Sequence, residues 1–237
     1  MKLTIVETGL APPAIRDRFP SYPEMFRQMF ASVDAGFEFE TVSIVKGEPL
    51  PDPAGAGALL YTGSPAGVYD NEPWIAPLME FIRQAGTAKT PQVGICFGHQ
   101  IMAEALGGKV VKSPKGWGIG RHTYAVAGTP GWEGAAPPEM SIAVSHQDQV
   151  VLRPPGAQTI ACSDFTEFAG LSYAGFPALS FQCHPEFEPE FSAALYSARR
   201  GATLEEGIAD AAVASLGDGG DRQFLAAWIA SFLRANI

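Results

Sequence analysis

Cys96 is the residue whose surroundings in this sequence most favour covalent chemistry. It is the middle residue of Gly94-Ile95-Cys96-Phe97-Gly98, a pattern typical of the sharp strand-to-helix turn called a nucleophile elbow. Glycine on either side relieves crowding around such a strained turn. The N-terminus of a following helix would favour the reactive thiolate. An isolated cysteine is more often a packed core residue, but this setting predicts that Cys96 is a nucleophile.

A cysteine nucleophile needs a base within hydrogen-bonding reach, and the sequence offers four histidines. His184 has the best position, because it follows the apolar run Ala178 to Phe181 and so lies at the end of a predicted strand. Glu186 stands two residues further on, where its carboxylate could accept a hydrogen bond from the imidazole and hold its tautomer and orientation. The sequence therefore predicts a catalytic set of Cys96, His184 and Glu186.

The elements around these residues are predicted to bring both of them to strand ends. Pro91 to Ile95 is a short apolar run typical of a central, parallel strand. Phe97 to Leu106 has helical composition and ends at a glycine pair. Cys96 therefore lies between a strand and a helix, and His184 follows a strand of the same kind of sheet.

The rest of the chain predicts an α/β fold with a mostly parallel central sheet, helices on both faces and an antiparallel β extension. Strand and helix patterns alternate in the first half, and short β-like runs follow one another from Lys109 to about Ser180. The length of 237 residues predicts a single domain over residues 1–237. Predicted strands are 2–7, 38–45, 57–61, 91–95, 109–112, 122–126, 142–144, 150–152, 159–161 and 178–181; predicted helices are 22–35, 73–85, 97–106, 189–200 and 221–233.

Composition argues against several classes of function. The chain has 16 Lys and Arg against 25 Asp and Glu, a formal charge of −9, and no basic run, which disfavours nucleic-acid binding. No apolar stretch is long enough to cross a membrane, and we expect a cytoplasmic protein. Three cysteines without a C-x-x-C pair argue against a disulfide framework and a cysteine-rich zinc site. We therefore predict no metal and no other cofactor.

Three motifs together closely resemble those of the class I glutamine amidotransferases. They are the segment Pro91 to Gln100 around Cys96, the segment Cys183 to Glu186, and Ser145-His146-Gln147-Asp148-Gln149-Val150, which resembles the amidotransferase domain of GMP synthase. The resemblance covers residues 57 to 187 in outline. It implies a flavodoxin-like fold and hydrolysis of the glutamine side-chain amide to glutamate and ammonia through a γ-glutamyl thioester on Cys96.

The tetrahedral intermediate of such a reaction needs preorganised N–H donors for its oxyanion. The residue after the nucleophile, Phe97, is predicted to supply one. The resemblance places the other in the turn Thr62-Gly63-Ser64-Pro65, where the family usually has Gly-Gly-Pro or Asn-Gly-Pro, so Gly63 and Ser64 are both candidates. It also implies that Gln100, with the backbone around Ser145, His146 and Gln147, binds the substrate.

Three functions remain open at this point. The chain contains no recognisable ATP-binding module, so it could be a glutaminase that passes ammonia to a separate synthase subunit. It could instead be a stand-alone hydrolase of γ-glutamyl amides or peptides, with a wider pocket shaped by Gly116-Trp117-Gly118-Ile119-Gly120. The third possibility is a binding or regulatory module with idle catalytic residues. We prefer the first because of the three matched motifs, and the presence of all three catalytic residue types argues against the third.

Overall fold

A computed structural model describes residues 1–237. The strands are β1 (Lys2–Glu7), β2 (Glu38–Ser43), β3 (Ala58–Tyr61), β4 (Gln92–Ile95), β5 (Lys109–Lys112), β6 (Gly118–Val126), β7 (Glu139–His146), β8 (Asp148–Leu152), β9 (Ala157–Cys162), β10 (Gly170–Tyr173) and β11 (Ala178–Phe181). The α-helices are α1 (Pro13–Arg16), α2 (Tyr22–Ala31), α3 (Ile75–Thr87), α4 (Phe97–Ala105), α5 (Pro189–Arg199), α6 (Glu206–Ala214) and α7 (Arg222–Arg234).

Nine strands form the main sheet in the order β2-β1-β3-β4-β11-β10-β9-β6-β7. The first five of that order pair in parallel. The last four continue the sheet with antiparallel pairings, and β5 pairs with β8 in a separate two-stranded sheet. The parallel half has the strand order of flavodoxin-like folds. The predicted fold, a mostly parallel α/β sheet with an antiparallel extension, is confirmed.

The parallel strands are short and apolar because both of their faces are buried. On β3 the alternation is direct: Ala58 and Leu60 pack into one core cluster, with residues of α2 and α7. Leu59 and Tyr61 point the other way, into a second cluster with residues of α3 and α4. Helices therefore cover both faces of the sheet, as predicted.

This topology brings the functional segments together. The carboxyl ends of adjacent parallel strands lie at one edge of the sheet, where α/β proteins bind their ligands. Cys96 follows β4, and its N–H donates to the carbonyl of Phe181 at the end of β11, at 2.8 Å. The segment that carries His184 therefore begins beside Cys96.

Several predicted boundaries were wrong. The second strand ends at Ser43, because residues 44–46 form a 3-10 turn that closes on Gly47 with φ of 83°. The first long helix ends at Ala31, before Asp34 and Gly36 with φ of 48° and 68°. The strands of the antiparallel extension are longer than predicted.

Strand β10 and helices α1 and α6 were not predicted. Helix α6 buries mainly small side chains, Ala209 and Ala212, so its apolar periodicity is weak.

Residues 128–138, between β6 and β7, contain no helix or strand. None of the helices is both long enough and apolar enough to cross a lipid bilayer.

Candidate active site

Cys96 occupies a strained turn between β4 and α4. Its backbone has φ of 53° and ψ of −102°, a region that non-glycine residues adopt only at a cost. The flanking glycines permit it. A Cβ on Gly94 would lie 2.5 Å from the carbonyl oxygen of Gly98, and a Cβ on Gly98 would lie 2.2 Å from that of Tyr61. The close approach of helix and strand therefore requires both glycines, as an elbow does.

Replacing Cys96 by glycine is expected to give a protein more stable than the Cys96→Ala variant, by about 1 kcal/mol. Both changes remove the sulfur, but alanine keeps the Cβ that makes the positive φ costly. Chemical unfolding of the two variants measures the difference. Cys162 ends strand β9 without a positive φ, so Cys162→Gly should be less stable than Cys162→Ala. The same sign at both positions would contradict the account of strain at Cys96.

His184 and Glu186 form a buried pair next to the elbow. The Nδ1 atom of His184 lies 2.7 Å from Oε1 of Glu186, and only 3% and 2% of the two residues are exposed. The imidazole stacks on Phe187, with ring centroids 3.9 Å apart and planes 3° from parallel. Because Nδ1 is held by the carboxylate and the ring face by Phe187, Nε2 is the nitrogen available to Cys96.

The charge of His184 follows from these neighbours. Burial of the ring lowers its pKa, but the carboxylate of Glu186 and the sulfur of Cys96 raise it by more, so that the pKa of His184 is about 10. The imidazole is therefore protonated at neutral pH.

The free energy of unfolding is expected to fall as the pH rises from 6.5 to 10. The folded-state pKa of His184, about 10, lies above its ordinary value of 6.5. Its contribution is therefore fully present below pH 6.5 and is lost as the pH rises through 10. Urea unfolding near pH 7 and near pH 9.5 measures this loss. The His184→Gln variant should show a shallower pH dependence, and equal slopes for the two proteins would contradict the assignment.

The turn after β3 lines a narrow cavity with Gly63 and Ser64, and Cys96 and His184 line the same cavity. Thr8 fixes this turn: its hydroxyl donates to the carbonyl of Thr62 at 2.9 Å, and its N–H donates to the Thr62 hydroxyl at 3.0 Å. The N–H groups of Gly63 and Ser64 donate to no acceptor within the chain. Phe97 is the first residue of α4, so its N–H has no acceptor within the helix either. All three predicted oxyanion donors are thus free for a ligand.

Serine fits at position 64 because the turn does not need a glycine there. Neither Gly63 nor Ser64 has a positive φ. The Ser64 hydroxyl accepts from the N–H of Ala66 at 3.2 Å and so turns back into its own loop. A side chain would instead be crowded at Gly63, where a Cβ would lie 3.0 Å from Cε1 of His184. The departure from the usual family pattern therefore leaves the backbone donors in place.

Gln100 lines a larger cavity of about 480 Å³ that opens beside Cys96. Its side-chain amide donates to the carbonyl of Asp148 at 2.9 Å and to Oε1 of Gln182 at 3.1 Å. A carbonyl can only accept, so the NH₂ group of Gln100 must face the protein. Its Oε1 is then the atom available to a ligand, and it could accept from an ammonium group.

Ser145, His146 and Gln147 line the same cavity. The imidazole of His146 is buried, and its Nδ1–H donates to the carbonyl of Asp148 at 3.0 Å. Burial lowers its pKa to about 3, so the ring stays neutral. The side chain of His146 is therefore part of the framework. Its backbone, with those of Ser145 and Gln147, is the part that can meet a substrate.

Several residues at the site were not predicted from the sequence. Thr8 directly follows the first strand, and that position at the carboxyl edge of a parallel sheet is a signal that could have identified it. Arg222 supports the His184 segment, since its Nε donates to the carbonyl of Pro185 at 3.0 Å. Arg199 lines both cavities that contain Cys96. Nothing in the local sequence distinguishes Arg199 from other arginines.

Comparison with known proteins places these residues in a family context. The sequence matches the family "Glutamine amidotransferase class-I" over residues 15–198, a range that includes Cys96, His184 and Glu186. A glutamine amidotransferase-like protein of Schizosaccharomyces pombe is 33% identical over 180 residues, which cover 74% of this chain and 71% of that protein.

Two further proteins are similar to this chain. Gamma-glutamyl peptidase 5 of Arabidopsis thaliana is 28% identical over 184 residues, which cover 74% of this chain and 72% of that protein. The crystal structure of a glutamine amidotransferase from Thermotoga maritima has a TM-score of 0.75 at 19% identity, over 99% of this chain and 96% of the other. That structural likeness supports the fold.

Proposed function

We propose, from the premise that this chain belongs to the class-I glutamine amidotransferase family, that it hydrolyses the side-chain amide of glutamine through a thioester on Cys96. The observation that carries the proposal is one narrow cavity in which Cys96, His184 and the turn of Gly63 and Ser64 meet. A nucleophile, a protonated imidazole and unoccupied backbone donors are the parts that acyl transfer requires.

In the first half of the reaction the sulfur of Cys96 attacks the amide carbon, and the carbonyl electrons move onto the oxygen. The N–H of Phe97 and those of Gly63 or Ser64 bind this oxyanion. As the intermediate collapses, the C–N bond breaks and His184 gives its proton to the departing ammonia. Glu186 holds the imidazole in position and stabilises its charged form.

In the second half a water molecule replaces the ammonia. The neutral His184 takes a proton from this water, whose oxygen attacks the thioester carbon. Breaking the C–S bond releases glutamate and restores Cys96. The sum of the two halves is glutamine and water converted to glutamate and ammonia.

The size of the leaving-group side supports glutamine as the substrate. His184 must face the leaving group, and the cavity on its side holds about 40 Å³, room for roughly three water-sized molecules. Ammonia fits in that volume, which Leu10 and Tyr22 line on the side away from the wider cavity of Gln100. Ammonia released here would pass to a separate synthase subunit.

The free cysteines Cys96, Cys162 and Cys183 suit a reducing compartment such as the cytoplasm.

A stand-alone γ-glutamyl peptide hydrolase is the second candidate. The open cavity beside Cys96 is wide, and Trp117, from the glycine-rich segment noted in the sequence, lines it. The similarity to gamma-glutamyl peptidase 5 also favours this candidate.

A substrate panel separates the two candidates. Release of ammonia from glutamine and of amino acids from γ-glutamyl dipeptides is measured with the purified protein, alone and with candidate synthase partners. We expect glutamine to have the highest kcat/KM. Hydrolysis of peptides in preference to glutamine would support the second candidate. No ammonia from glutamine under any partner or ligand condition would contradict the amidotransferase proposal.

A further inference from the structure

Arg199 is a half-buried cation beside the nucleophile that the mechanism above does not use. It is the last residue of α5, and its side chain lines both the narrow cavity of His184 and the wider cavity of Gln100. The sulfur of Cys96 is near enough to act on its charge. The guanidinium is therefore placed where the reacting end and the remainder of a bound substrate would meet.

This guanidinium has no acidic partner. It makes none of the ion pairs of the chain, and the groups that act on its charge are a thiol and two phenols, not carboxylates. Its one hydrogen bond runs from Nη1 to the hydroxyl of Ser145, at 2.7 Å. An unpaired cation withdrawn from water is costly, and most of its five N–H donors remain free.

Two neighbours hold the guanidinium in a defined orientation. Its central carbon lies 5.2 Å from the ring centroid of Trp117, within the range of a cation–π contact. Ser145 fixes one edge of the planar guanidinium group through the hydrogen bond from Nη1 to its hydroxyl. Ser145 and Trp117 are thus positioning residues, and Arg199 lines the same cavity as both of them.

The chemistry of the substrate supplies the missing anion. In a γ-glutamyl group three carbons separate the carbonyl that Cys96 would attack from the α-carboxylate. We propose that Arg199 binds this α-carboxylate as a two-point ion pair and so restricts the site to γ-glutamyl groups whose α-carboxylate is free. The inference rests on the proposed function.

The test compares L-glutamine with its α-amide, in which the carboxylate is replaced by a neutral carboxamide. We expect Arg199→Gln to lower kcat/KM for glutamine by about 100-fold, mainly through KM, with little change for the α-amide. Arg199→Lys should restore only part of the loss, because a lysine ammonium is a point charge and cannot form the two-point ion pair with a carboxylate. Arg153→Gln makes the same charge change at an exposed residue with no ion pair or side-chain hydrogen bond, and it should leave both substrates unaffected.

Two kinetic results would overturn the inference, and binding supplies a separate check. An equal loss for both substrates would assign Arg199 a structural role, and a loss confined to γ-glutamyl dipeptides would mean that it binds a carboxylate of the leaving group. Binding separates this inference from the function itself. With Cys96→Ala as the parent, calorimetry should show glutamine binding that Arg199→Gln weakens by about 100-fold. If glutamine binds in that way but is never hydrolysed, the proposed function fails and this inference stands; binding that is absent, or that ignores Arg199, overturns the inference.

Discussion

Replacing Cys96 by alanine is expected to lower kcat for glutamine hydrolysis by about a million-fold, the scale seen when a nucleophile is removed from a comparable triad. Without the sulfur no thioester can form. His184 then has neither a departing ammonia to protonate nor a thioester to hydrolyse. The oxyanion donors at Phe97 and at the turn after β3 would remain. The residual rate is therefore that of binding and oxyanion stabilisation alone.

The control for this prediction is Cys162→Ala. Cys162 is a free cysteine in β9 and lines neither cavity that contains Cys96, so its loss should change kcat by less than about two-fold. Glutamate formation followed for hours detects the residual rate of the Cys96→Ala variant. Activity of that variant within about 100-fold of the parent would mean that another group performs the attack.

Replacing His184 by alanine is expected to be nearly as damaging, because the nucleophile and its base act as one unit. The variant loses the proton donor for the departing ammonia and the base for water, so both halves of the reaction slow. We expect kcat to fall by about five to six powers of ten. The double variant with Cys96→Ala should be no slower than Cys96→Ala alone, which a discontinuous assay of both proteins measures.

His122 provides the matched histidine control. It faces Phe165 with ring centroids 5.1 Å apart, and it lines neither cavity of the site. His122→Ala should retain the parent kcat within a few-fold. If the losses from His184→Ala and Cys96→Ala instead multiplied in the double variant, the two residues would act independently, and the pairing proposed here would be wrong.

The elbow and its partner strand could be predicted from the sequence because their signals are local. Two glycines flank Cys96 within five residues, and both are needed locally: Gly94 of β4 meets the backbone of α4, and Gly98 of α4 meets the backbone of β3. His184 and Glu186 are only two residues apart, and Cys96 and His184 each come shortly after a buried strand. Short, apolar strands and glycine-bounded helices were enough to predict the parallel half of the sheet.

The remainder of the site depends on contacts between distant segments. Thr8 acts on Thr62 across 54 residues, and Arg199 acts on Ser145 across another 54. No local pattern encodes such a pair. Helix α6 could not be predicted for a related reason. It packs small alanine side chains against β6, and alanines are also common in loops and in solvent-exposed helices. The sequence therefore shows no clear apolar face for this helix. The role of serine at position 64 likewise depended on backbone angles that the sequence does not specify.

Covalent trapping of Cys96 tests the central claim most directly. The protein is treated with a glutamine analogue whose side-chain amide is replaced by a diazoketone, and its intact mass and peptide map are measured with and without excess glutamine. We predict one adduct per chain, located on Cys96, slowed by glutamine, retained in Cys162→Ala and absent from Cys96→Ala. No adduct, or an adduct that persists in Cys96→Ala, would contradict the account, and complete absence of labelling would favour a binding module with an idle site.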